Sequence, residues 1–197
     1  MRQEDLLVVL LLAVLGFFII ANIQIPEKEP ILYDKPEEII ILPVKAHIVK
    51  DLETGDISGR TKEDIEMRFG LANEIWKQAG LYLNLTDVVV TETNYPIRYN
   101  IVNSENFDKE QINLLFVKDL GGSNGYALPN YKIVFVSDNT TVNDYRTLAH
   151  EIGHLIGLSH HIDRSNLMFS GSNGSVLEED QIITARSLAK RYMERGY

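Results

Sequence analysis

The residues best suited to chemistry lie in one short stretch, Tyr145 to His161, which reads YRTLAHEIGHLIGLSHH. His150 and His154 stand four residues apart, so on an α-helix both imidazoles leave one face and can meet a single metal ion. Glu151 follows the first of them and can reach the open side of that ion. Gly157 lets the backbone leave the helix with φ > 0, and the turn can return His160 as a third nitrogen ligand. Three neutral His ligands leave a fourth position for water. That is the layout of a catalytic zinc site, in which a carboxylate takes the proton from metal-activated water as it attacks a carbonyl. His161 competes with His160 for the role of third ligand. His47, in an expected strand with no partner motif, reads as an ordinary core histidine. The chain has no cysteine, which removes disulfides, thiolate ligands and cysteine nucleophiles together.

Such a constellation needs a buried helix. Leu148, Ala149, Ile152, Leu155, Ile156 and Leu158 supply a broad apolar face, and Asn143 or Asp144 is available as a cap. Upstream, Ile39 to Lys50 is apolar and β-branched, but Pro43 cannot donate to a ladder, so the paired strand is expected to start at Val44, with Val44, Ala46 and Ile48 on one face. Thr61 and Asp64 announce a helix that carries Ile65, Phe69, Ala72, Trp76 and Ala79 and stops at Gly80. Leu81 to Thr91, Ile112 to Val117 and Ile133 to Val136 read as strands. Between the last two lies GGSNGYALPN, Gly121 to Asn130, a turn-rich segment leading to a sheet edge. A capping box from Ser175 to Glu178 opens a final helix over Glu178 to Arg195, with Ile182, Ala185, Leu188, Ala189 and Tyr192 inward.

The 197 residues fit one globular domain with an appendage. Hydrophobic residues at 45% and charged residues at 24% exclude disorder as a description of the whole chain. A formal net charge of −9 repels phosphate backbones, so nucleic acid is not an expected partner. Leu6 to Ala21 is uninterrupted by any charge. Carried on to Ile25 as a helix, this run spans about 30 Å, a bilayer core. We expect residues 1–25 to be a retained transmembrane signal anchor, with a cleaved signal peptide as the competing reading. Residues 26–38, PEKEPILYDKPEE, suit an extended linker, and residues 39–197 the catalytic domain. The expected placement is a single-pass membrane protein with that domain extracytoplasmic, or a secreted one if the segment is cleaved.

HEIGHLIGLSH resembles the elongated zinc-binding motif of the metzincin clan of metalloendopeptidases. The resemblance implies a Met-turn, which SNLMFSG offers at Met168. It also implies an α/β (α+β) domain: a twisted, mixed, mostly parallel five-stranded sheet, an active-site helix, and a small C-terminal subdomain with Met-turn and helix. Its spacing favours His160 over His161. The compact C-terminal part and the LMF turn look most like a minimal matrixin-type enzyme. Ser170 stands where some families place a tyrosine two residues after the methionine, so no further zinc ligand is expected from the turn. His161, after the third ligand, matches none of the larger families.

The sequence thus implies a zinc-dependent endopeptidase that hydrolyses peptides or proteins. One zinc ion would be held by His150, His154 and His160, with Glu151 as the general base. Substrate is expected to lie extended against an edge strand at Gly125, Tyr126, Ala127 and Leu128. Nothing in the sequence speaks for or against calcium. The alternative from another class is a non-catalytic, membrane-tethered binding module with a structural zinc. Glu151 argues against it, because a structural site needs no base and fills its fourth position with protein.

Overall fold

The computed structural model describes residues 38–93 and 107–194. The expected anchor and nearly all of the linker lie outside the described residues, and among those described no helix is long and apolar enough to cross a membrane. In chain order the elements are β1 (Ile40–Asp51), α1 (Lys62–Trp76), β2 (Leu81–Thr93), β3 (Ile112–Val117), β4 (Gly125–Leu128), β5 (Ile133–Ser137), α2 (Asp144–Leu155) and α3 (Glu179–Glu194). The strands form one mixed sheet in the order β2-β1-β3-β5-β4. The first four of these run parallel and β4 pairs antiparallel to β5. This is the expected architecture.

Local signals account for most element boundaries. The Thr61 hydroxyl accepts the Asp64 N–H at 3.2 Å, a side-chain N-cap for α1. Gly80 ends the following 3-10 turn at φ +60°, where a side chain would be strained. Alternation along β1 sends Leu42, Val44 and Ala46 into the main core. There they meet Ile65, Phe69 and Trp76 from α1 and Leu148 and Ile152 from α2. The opposite face of the sheet buries a smaller cluster of Val49, Leu115, Val117, Ile133 and Phe135. All six residues of β3 are buried, as expected for a central strand covered on both sides.

Three expectations are corrected. β1 starts at Ile40 rather than Val44, because β2 pairs with it from Ile40 while β3 joins only at Val44. Pro43 therefore lies where β1 is flanked by β2 alone, and the donor it lacks is not missed on the open side. Asn143 stands at the N-cap of α2, one of the two expected positions, but its side chain does not do the capping. The Asn143 amide donates to the Tyr145 hydroxyl at 3.0 Å and makes no capping bond. Asp144, the first helical residue, instead accepts Arg60 Nη1 at 2.8 Å and Arg68 Nε at 2.6 Å. Arg60 Nε in turn donates to Asp138 at the end of β5, at 3.0 Å. This largely buried network of two arginines and their carboxylates fixes where the active-site helix begins. Finally, α3 opens at Glu179: Gln181 reaches back to accept the Glu178 N–H at 3.0 Å, which moves the capping box three residues past Ser175.

Candidate metal centre and active-site cleft

The helix α2 carries His150 and His154 on one stripe, one turn apart. After Leu155 the chain turns at Gly157, φ +85°, and Leu158 N–H returns to Gly153 O at 2.9 Å. A side chain at 157 would also strike Leu188 of α3, since its Cβ would stand 2.4 Å from Leu188 Cδ1. The turn delivers His160 beside the other two. One ligand atom from each of His150, His154 and His160 lies within 4.8 Å of the others.

Hydrogen bonding prepares the first two rings. His150 Nδ1 lies 2.8 Å from Leu167 O, and His154 Nδ1 lies 2.8 Å from Leu158 O. A carbonyl only accepts, so both Nδ1 atoms carry the proton and, in the neutral rings, both Nε2 lone pairs face outward. Burial depresses the His150 pKa to about 4 and lowers that of His154, which keeps the rings neutral at physiological pH. Two neutral imidazoles with oriented lone pairs, joined by the His160 ring within 4.8 Å, fit a zinc ion.

His161 turns elsewhere. Its Nε2 lies 3.2 Å from Glu178 Oε1, its Nδ1 accepts the Asp163 N–H at 3.1 Å, and its backbone N–H bonds to Met168 O. His47 is wholly buried on the sheet, remote in sequence from the motif. Its ring stacks on Phe107 at 4.8 Å and contacts Thr91 and Asn113.

Glu151 is buried. Burial pushes its carboxyl up to about 7, partly opposed by the positive charge of Arg146. Gly125 of β4 packs onto this region: a Cβ there would meet Glu151 Cγ at 3.0 Å and Phe135 O at 2.6 Å. Met168 is also fully buried. Its sulfur would stand 2.6 Å from a Cβ at Gly153, the residue before His154. Its N–H donates to Asn166 Oδ1 at 2.8 Å, so a buried asparagine shapes the turn beneath the helix.

Sequence reasoning missed Arg146, Gly153 and Asn166. Arg146 is buried, and its Nε donates to Gly174 O at 3.1 Å. Its Nη2 donates to Leu167 O and Phe169 O. Leu167 O thus receives both Arg146 and His150, joining the histidine to the methionine turn. The signal was present, since residues 146, 150 and 154 form one i, i+4, i+8 stripe.

These residues line a cleft of about 540 Å³. Its lining takes in Gly122 to Ala127 from β4 and the turn before it, Arg146, Thr147, His150, Glu151 and His154 from α2, and His160, Ser170 and Gly171 from the chain that follows. β4 is one of the two edge strands of the sheet among the described residues. Asn124 O accepts Ser137 N–H at 2.8 Å, so by antiparallel alternation the N–H of Ala127 points away from β5, toward the free edge. Tyr126 stacks on Phe135, with ring centroids 4.4 Å apart.

By structure the domain is similar to mature mirolysin of Tannerella forsythia in complex with a cleaved peptide. The TM-score is 0.60 and the identity 15%, over 81% of this chain and 97% of that one. It is also similar to archaemetzincin of Methanopyrus kandleri, with a TM-score of 0.54 and 16% identity over 77% and 97% of the two chains. Likeness at such identities speaks to the fold. No curated protein sequence matches the chain. A family profile described as Matrixin, however, matches residues 52–184, a span that begins just after β1 and holds α1, the other four strands, the three histidines, the methionine turn and the start of α3. The chain therefore belongs to the matrixin family and is a metallopeptidase of the metzincin type.

Proposed function

We propose that the protein is a zinc-dependent endopeptidase whose ion is held by His150, His154 and His160 and whose general base is Glu151. The observation that carries this reading is the convergence of three imidazoles within 4.8 Å, beside a carboxyl that burial raises to about 7. Bound there, zinc would supply Lewis acidity, which polarises a peptide carbonyl and acidifies water. Glu151 takes the water proton on its carboxylate and later hands it to the leaving amine, and a base with a pKa near neutrality suits both transfers. Leu167 O and Leu158 O hold the two helix imidazoles in the tautomer that leaves Nε2 free. The outward backbone groups of β4 pair with an extended substrate, and main-chain bonding of this kind fixes register without dictating sequence. Met168 and Gly153 support the helix from below.

The uncharged run from Leu6 to Ala21 supports a further reading, in which residues 1–25 anchor the domain to a membrane, residues 26–38 tether it, and residues 39–197 hydrolyse peptides on the extracytoplasmic side. Membrane fractionation with protease protection tests the placement, and recovery of the intact chain in the soluble fraction would refute it.

The enzymatic reading is tested by measuring zinc content and peptide hydrolysis on the purified chain, before and after chelation. About one zinc per chain, and activity lost with the metal and restored by adding it, are expected. A stoichiometric zinc protein that cleaves no peptide and no denatured protein would instead make this a structural metal site.

A further inference from the structure

Among the described residues Arg146 is the one arginine lining the cleft, and its bonding is incomplete. Nε and Nη2 are spent on the carbonyls of Gly174, Leu167 and Phe169. Nη1 has no hydrogen-bond partner among the described residues, and no carboxylate lies within ion-pair distance of the guanidinium there. Yet the residue is only 3% exposed. Nη1 is not among the fully buried unpartnered atoms, so it is the part of this largely buried cation that opens to solvent, and a cation otherwise met only by neutral carbonyls favours a counter-charge at that opening. Glu151 lies close enough to feel its charge but does not pair with it. The spare donors belong to a side chain placed between α2 and the Ser170–Gly171 side of the cleft, anchored from behind by the 167–174 segment, so they are fixed in position before anything binds.

We propose that Arg146 selects substrates with a carboxylate side chain close to the scissile bond, the carboxylate entering between α2 and Ser170–Gly171 to accept from the free Nη1. This rests on the peptidase reading above. Planar guanidinium and carboxylate groups bond with charge assistance, and such bonds are about twice as strong as neutral ones. A glutamine of the same shape presents only a neutral acceptor, and a lysine brings repulsion. The cleft would therefore distinguish charge rather than size.

The test uses the zinc-loaded chain and a matched peptide series carrying Glu, Gln, Leu or Lys at each of the three positions on either side of the cleaved bond, with a denatured protein as a general substrate. One position is expected at which Glu exceeds Gln by tenfold or more in kcat/KM, with Lys poorest, and the ratio should shrink as salt rises. In Arg146→Met the ratio should fall to near one, while Arg146→Lys should keep part of it. Equal Glu and Gln rates at every position, with the denatured protein still cleaved, would overturn the selection and leave the peptidase reading intact. A preference undiminished in a folded, zinc-loaded Arg146→Met protein would also overturn it. Should Arg146→Met fail to fold, the wild-type Glu-to-Gln ratio decides by itself. Cleavage of neither peptides nor denatured protein would overturn both readings.

Discussion

Replacing Glu151 by Gln should have two opposite effects, and the structure sets the size of the less obvious one. Glu151 is buried at 6% exposure, and its carboxyl is pushed up to about 7 against an ordinary 4.5. In the metal-free protein the folded state therefore keeps its proton to higher pH than the unfolded chain does. Stability is then lost as pH rises from 4.5 to about 7, and above that the loss is constant. The difference corresponds to about 3 kcal/mol, and water reaching the cleft lowers it toward about 1 kcal/mol. An amide has the same shape and no charge, so metal-free Glu151→Gln should be more stable than the parent by about 1 to 3 kcal/mol at pH 8 and nearly equal to it at pH 4. For a domain of this size that is a rise in Tm of roughly 2 to 12 °C at pH 8. Thermal unfolding of both proteins in chelator at the two pH values is the assay. The same change should leave zinc binding intact and reduce turnover about 10²-fold to 10⁴-fold. Identical Tm values at pH 8, or an equal gain at both pH values, would show that a buried carboxylate is not the source of the cost. Full peptidase activity in the variant would remove Glu151 from the mechanism.

Three further outcomes are expected. His160→Ala should lose zinc on dialysis while His161→Ala retains it, because His161 bonds Glu178 and Asp163 rather than facing the other two rings; equal loss by metal analysis would contradict that geometry. Ala127→Pro should slow cleavage of long peptides about tenfold or more while leaving zinc content and Tm nearly unchanged, since the donor it deletes points to the free edge and makes no bond to β5; unimpaired cleavage would take β4 out of the substrate site. Gly153→Ala should cost about 1 to 3 kcal/mol by overpacking against the Met168 sulfur, and the cost should shrink in a Met168→Ala background, so additive losses in a double-mutant cycle would deny the contact.

What the sequence determined by itself was whatever depends on neighbours within a turn or two of chain. The four-residue spacing of His150 and His154, the helix break at Gly157 and the Thr61 cap follow from helical period and from the φ angles that glycine allows. The charge-free run at 6–21 is likewise a property of contiguous residues. Where the controlling partner was distant in sequence, the tertiary structure decided. Pro43 is tolerated inside β1 because β3, some seventy residues on, begins to pair one residue later. Asn143 takes the expected cap position on α2 without a side-chain capping bond, and the start of the helix is held instead by arginines from before and within α1 on Asp144. His160 and His161 are chemically identical neighbours, and the spacing only favoured the first; Glu178, at the start of another helix, draws the second away. In the sequence Arg146 was legible only as a charge one turn before His150 on the ligand stripe, with nothing to say what it bonds. It gained partners when folding set it against Leu167, Phe169 and Gly174, more than twenty residues downstream, because a buried donor is defined by the acceptors that surround it, and those assemble only in three dimensions.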